Sequence, residues 1–244
     1  MAERAGDTGA DGDGGAVTVS SVLDLSFARI WIVSAWRPEQ NWLIRILSQH
    51  HELVEHDEHL SLCGPYAFIR TGVGTVRAAI MTSRLLAQAE SQGSLPEAVW
   101  FVATAGSYSD HFKMEQAFFA NDVKWTDGDL LSGAAYLPAL AGGVEQILSD
   151  FKDAVETPVS VVCTPAITLS ETLASALGRQ GQLENLELYG VALAARQIGV
   201  RWGAVLGVSN CVGPQAHSEW KAHHEKASES AQILLYETIL RSRL

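Results

Sequence analysis

Two segments near the C-terminal end hold the residue types and spacing best suited to chemistry. Glu184-Asn-Leu-Glu187 opens a helical pattern, and the strand-like run Trp202-Gly-Ala-Val-Leu-Gly-Val-Ser-Asn210 ends in polar residues. An acid at a helix start and an amide at a strand end are how α/β proteins offer hydrogen-bonding groups to a small ligand. Each residue also has a plain structural alternative. A first-turn acid such as Glu187 or Glu39 is favoured by the helix dipole, and an Asn after a strand can equally satisfy a turn.

These residues need elements to position them. Short apolar runs at 28–35, 67–71, 98–105, 116–125, 159–163 and 202–209 read as strands. Helical spacing appears after Pro38, then over 76–90, 143–154, 170–178, 186–199 and 219–242. Gly72-Val-Gly74 turns a strand into a helix, Gly106-Ser107 closes another strand, and 126–137 is loop-like around Asp127-Gly-Asp129. This alternation predicts an α/β fold: a single-domain three-layer sandwich with a mixed, largely parallel central sheet. Ligands of such sheets sit beyond the carboxyl ends of the strands. That rule selects 34–39, 71–75, 104–108, 164–168 and 209–213, each a small or polar cluster after an apolar run.

Composition removes several classes of function. The chain has 244 residues, 47% of them apolar, enough for one sizeable core. The 28 acids outnumber the 17 bases, for a net charge of −11, which argues against nucleic acid and anionic membranes as partners. No apolar run approaches the roughly 18 residues of a membrane span. Cys63, Cys163 and Cys211 are scattered and read as reduced thiols, which predicts a cytoplasmic setting. Residues 1–20 begin with a Gly/Asp-rich stretch and read as a disordered leader to a domain over 21–244. His50, His51, His56 and His59 crowd an acidic segment that reads as solvated, and His223-His224 read as surface; no metal or organic cofactor is expected. Asp110 and Asp122 read as loop-ordering acids.

At the strand ends the chain resembles the nucleoside phosphorylase/nucleosidase superfamily, nearest the futalosine hydrolases and next the methylthioadenosine/S-adenosylhomocysteine nucleosidases. The matching pieces are Ile32-Val-Ser-Ala with Glu39, Thr71-Gly-Val-Gly-Thr-Val-Arg-Ala-Ala79 and Thr104-Ala-Gly106. Glu184-Asn-Leu-Glu187 and Val208-Ser-Asn-Cys-Val-Gly-Pro214 with Trp220 follow in family order. The resemblance implies N-glycosidic bond cleavage in a purine riboside. Such cleavage needs support for the departing base, a grip on the sugar hydroxyls, and a nucleophile. It implies Glu39 as the base for water, Asn210 as the group that stabilises the leaving base, and Glu187 as the ribose clamp with Leu186 packed on the sugar. Asn210 stands where adenosine-cleaving members carry Asp, which points to a 6-oxopurine such as that of futalosine. Thr71, Gly72, Ala105, Gly106, Ser107 and Ser209 would line the pocket, and Ala166, Ile167 and Thr168 would contact the base. A homo-oligomer is also implied.

Other readings stay open. Arg37 and Arg77 lie where phosphorylases hold phosphate, so phosphorolysis is the alternative reaction. Leu188 and Tyr189, bulky where the family is small, and the glycines missing around Thr104-Ala-Gly106 leave room for a catalytically silent nucleoside binder. The bulky pair would narrow the sugar pocket or reshape an interface. Trp36 and Trp125 fit either the wall around the substrate's distal arm or the core.

Overall fold

The computed structural model describes residues 25–138, 146–151 and 158–243. The expected leader lies outside them, as do the ends of the expected 143–154 helix. Ten strands form one mixed sheet among the described residues. They are β1 Ile30–Ser34, β2 Leu53–Glu55, β3 Leu60–Cys63, β4 Tyr66–Arg70, β5 Ala98–Ser107, β6 Ala117–Trp125, β7 Gln146–Leu148, β8 Val159–Cys163, β9 Leu183–Asn185 and β10 Arg201–Cys211. The helices are α1 Asn41–Leu47, α2 Thr75–Ser91, α3 Gly128–Ser132, α4 Glu171–Leu177, α5 Leu188–Gln197 and α6 Ala216–Leu235.

The long registers are parallel: β5 runs beside β10 from Ala98↔Arg201 to Ser107↔Cys211, and beside β1 over its first half. At its far end β5 instead takes β9, antiparallel, through Gly106↔Glu184. Gly106 therefore has Asn210 on one neighbouring strand and Glu184 on the other. Strand β1 is buried on both faces, as a central parallel strand should be. Trp31 and Val33 join the core under α2 and α5, while Ile30 and Ile32 join the core under α1 and α6. These two cores, one on each face, are the outer contacts of a three-layer sandwich.

Several expectations change in detail. The 143–154 segment is not helical in its described part, because Gln146–Leu148 pairs antiparallel with β6 and buries only its middle residue. The acidic His50–His59 stretch holds β2, whose hairpin with β3 extends the sheet edge. Residues 183–185 are a strand, so the helix expected from 186 starts at Leu188. The loop-like 126–137 stretch contains α3, capped by Asp127, whose carboxylate accepts from the Leu130 N–H at 2.9 Å. The C-terminal helix begins at Ala216 and widens into a π-helical turn over Tyr236–Leu240. Asp122 orders no loop; it is buried in β6 and accepts from the Ser160 hydroxyl at 2.8 Å. His223 and His224 are half-buried rather than surface groups: His223 meets Glu115 at 2.9 Å, and His224 stacks on Trp220.

Candidate active site

A cavity of about 290 Å³ opens beyond the carboxyl ends of β1, β5 and β10, near the small end of ligand pockets. Each of the five strand-end clusters reaches it. Ala35, Trp36 and Glu39 come from the first, Val73 from the second, Thr104, Ala105 and Gly106 from the third, Ile167 from the fourth, and Ser209 and Asn210 from the fifth. The segment 184–187 and three residues of α6, Ala216, His217 and Trp220, complete the wall. The chain thus brings together Glu39, Ala105, Gly106, Ile167, Leu186, Glu187, Ser209 and Asn210. Thr71 and Gly72 lie outside the lining: the Thr71 hydroxyl is spent on the Ser34 and Gly72 carbonyls, and the Gly72 N–H on Ala35. Ser107 also stands back, donating to the Ser109 carbonyl at 2.6 Å.

Glu39 sits in the 3₁₀ turn Arg37–Gln40 that follows β1, started by Pro38. Its carboxylate is 4% exposed. One oxygen accepts from the Ala35 N–H and the other from the Thr104 N–H, each at 3.1 Å. Burial pushes its pKa up to about 8, and the nearby charge of Glu187 adds to the rise, while the N–H groups of Thr104, Ala35 and Trp36 oppose it. A carboxyl group poised near neutrality can hold or take a proton during turnover.

Glu187 stands across the cavity at the turn between β9 and α5. Asn185 builds that turn: its Oδ1 accepts from the Glu187 and Leu188 N–H groups at 2.8 Å, and its Nδ2 donates to the Thr104 carbonyl. Glu187 then accepts the Gly74 N–H at 2.8 Å. Gly74 has φ +99°, a backbone that non-glycine residues avoid, and this conformation aims its N–H at the carboxylate. Burial raises the Glu187 pKa, against the pull of Gly74, Leu186 and Asn185. A buried carboxylate lining the cavity is the kind of acceptor that a sugar diol can engage.

Asn210 is fixed by its neighbours. Its Oδ1 accepts from the Ser209 hydroxyl at 2.8 Å and its Nδ2 donates to the Cys211 carbonyl at 3.1 Å. Only the NH₂ end can face a carbonyl, so the amide orientation is determined and one N–H is left for a ligand. Gly106 makes room for it: a Cβ there would meet Asn210 Nδ2 at 2.8 Å and Val212 Cγ2 at 2.8 Å.

Other positions separate cleanly. Arg37 is paired with Glu55 at 2.7 Å, and Arg77 is exposed on α2; neither lines the cavity. The lining carries three carboxylates and, among the described residues, no Arg or Lys. Leu188 and Tyr189 do not narrow the pocket, because the first turn of α5 directs them into the core. Trp125 also packs on the core, whereas Trp36 lines the cavity and faces Trp220, centroids 6.0 Å apart. The lining residues Glu184, Asn185, Thr104, Ala216, His217 and Trp220 had no role assigned from sequence. Glu184 and Asn185 were visible in their motif but read only as leading into a helix, and the α6 residues reach the cavity only through the packing of α6 on β10.

The fold and this acid-lined cavity define an α/β protein with a candidate small-molecule site at the strand ends. The family model of the phosphorylase superfamily matches residues 30–240, and the chain belongs to that superfamily. Comparison with curated proteins by sequence gives no match. Among solved structures, the chain is similar to the 5′-methylthioadenosine/S-adenosylhomocysteine nucleosidase of Helicobacter pylori, with 14% identity and a TM-score of 0.74 over 88% of this chain and 99% of that one. It is also similar to the futalosine hydrolase of the same organism, with 16% identity and a TM-score of 0.73 over 88% and 98% of the two chains. The Neisseria meningitidis nucleosidase gives 14% identity and a TM-score of 0.69 over 86% and 97%.

Proposed function

We propose that the protein is a hydrolytic purine nucleosidase acting on a 5′-modified 6-oxopurine riboside such as futalosine. The observation that carries this reading is the charge of the cavity. Glu39, Glu184 and Glu187 line it, and among the described residues no cation does. No Arg or Lys among the described lining residues offers a phosphate dianion a partner, whereas water beside Glu39 finds a base once that carboxyl ionises. Asn210 supports the departing base by donating its free N–H to N7 or O6, where negative charge gathers as the bond breaks. Glu187 grips the ribose hydroxyls, which sets the anomeric carbon before Glu39. Trp36, His217 and Trp220 form an aromatic end to the cavity, suited to a substituent on the sugar's 5′ carbon.

Phosphate-independent release of hypoxanthine from futalosine or inosine is the expected result, read by chromatography with and without phosphate. Release that requires phosphate would move the reaction to phosphorolysis. No release, together with intact nucleoside binding, would make the protein a silent binder.

Gly106→Ala provides a second check. The added methyl must displace the Asn210 amide, so kcat/KM should fall by about 10- to 100-fold in a protein that remains folded. Circular dichroism would confirm the fold, and unchanged kinetics would show that the amide's position is not critical.

Association of two or more copies accords with Val73, Val76 and Ile80. They are 63%, 71% and 63% exposed on one side of α2 and its entry turn, and Val73 is continuous with the cavity wall. No helix among the described residues is long and apolar enough to cross a membrane. The cytoplasmic reading rests on the free thiols.

A further inference from the structure

Glu184 is the third carboxylate in the cavity wall and has no part in the scheme above. It is 5% exposed, with no cation among the partners identified for it. Its Oε1 accepts from the Tyr108 hydroxyl at 3.1 Å and the Thr164 hydroxyl at 3.2 Å, and its Oε2 accepts from the Thr168 N–H at 3.2 Å. These bonds lock its orientation and leave a lone pair of Oε2 unused. Its place in the sheet gives it a partner. Glu184 and Asn210 are each in register with Gly106, on opposite sides of it. Register partners project to the same face of a sheet, and strands two apart stand about 9–10 Å from each other. The row therefore reads amide donor, backbone, carboxylate acceptor; the Asn210 amide leans over Gly106, and all three residues line the cavity that a flat ring would enter.

We infer that Glu184 is a specificity-determining residue, which selects purines carrying a proton on N1 while Asn210 engages the N7/O6 side. Along that edge a 6-oxopurine presents acceptor, acceptor, donor at N7, O6 and N1–H. Adenine presents acceptor, donor, acceptor, which sets its N1 lone pair against the carboxylate. An amide alone discriminates weakly because it both donates and accepts; an ionised carboxylate only accepts, and a buried one left without its donor is costly. This inference rests on the nucleoside reading of the site.

Calorimetric binding of hypoxanthine, 1-methylhypoxanthine and adenine separates the two ideas, because product affinity does not depend on the reaction. The wild-type protein should bind hypoxanthine about 100-fold more tightly than either of the others. Glu184→Ala should bring all three within about tenfold, and Glu184→Gln, a neutral acceptor with its oxygen turned to the Thr168 N–H, should fall between. The glutamine variant decides the matter if the alanine variant does not fold. Equal wild-type affinities, or a preference that survives in the variants, would reduce Glu184 to a brace for Thr168 and leave the nucleosidase reading standing. Failure of the wild-type protein to bind any of the three purines would overturn both.

Discussion

Glu39→Gln is expected to lower turnover of a purine riboside by about 10²–10⁴-fold, the usual range for removal of a general base. The amide cannot take a proton from water. It must also turn its NH₂ toward either the Ala35 or the Thr104 N–H, so one backbone donor loses its acceptor. The pH profile provides a separate readout. With a pKa pushed up to about 8, the free protein holds Glu39 mostly protonated at neutral pH. The wild-type kcat/KM should rise about tenfold per pH unit below that value and level off above it. A flat profile, or a glutamine variant with full activity, would remove Glu39 from the reaction.

The same group leaves a signature in stability. Its folded pKa lies above the unfolded value of 4.5, so the folded protein binds this proton more tightly than the unfolded chain. Between pH 4.5 and about 8 the folded state therefore loses stability as pH rises, since ionisation then takes place in a buried site beside Glu187. The melting-temperature difference, Glu39→Gln minus wild type, should increase across that window. A difference independent of pH would contradict the burial argument. Activity and stability are opposed at this position, because the carboxylate is kept where a neutral group would be more comfortable.

Asn210→Ala carries the second large effect. Loss of one preorganised donor to a developing anion costs about 10²–10³ in kcat. That loss should depend on the leaving group. A purine needs help to depart as an anion, whereas 4-nitrophenolate does not. The variant should therefore lose about 10²–10³-fold on inosine but only a few-fold on 4-nitrophenyl riboside. Glu39→Gln should impair both substrates, because water must be activated in either case. Equal losses of the alanine variant on the two substrates would show that Asn210 positions the sugar or the strand end rather than the leaving base.

Much of the fold was legible because its signals are local. Runs of buried β-branched and aromatic residues gave β1, β4, β5, β6, β8 and β10 to within a few residues, and Ser170 and Gly178 bracket α4 as its flanking residues. Most of the missed strands share one cause. Strands β2, β7 and β9 are three-residue segments whose hydrogen bonds come from distant partners, and β7 is strand only because β6 pairs with it. Three residues are too few to show a period of two, so β7 fell within an expected helix, β2 within a polar stretch read as solvated, and β9 just ahead of the helix expected from 186.

By itself the sequence determined the alternating α/β plan, the strand-end clusters, and the chemistry available at Glu39, Glu187 and Asn210, since residue type and order along the chain suffice for these. Tertiary structure alone decided the rest. It showed that Thr71 and Gly72 are spent on the backbone, that Leu188 and Tyr189 belong to the core, and that Arg37 and Arg77 stand apart from the cavity. It also set Glu184 and Asn210 on either side of Gly106. Strand register joins residues some 80 and 100 positions apart in the chain, and burial shifts a carboxyl group only after those contacts have closed around it.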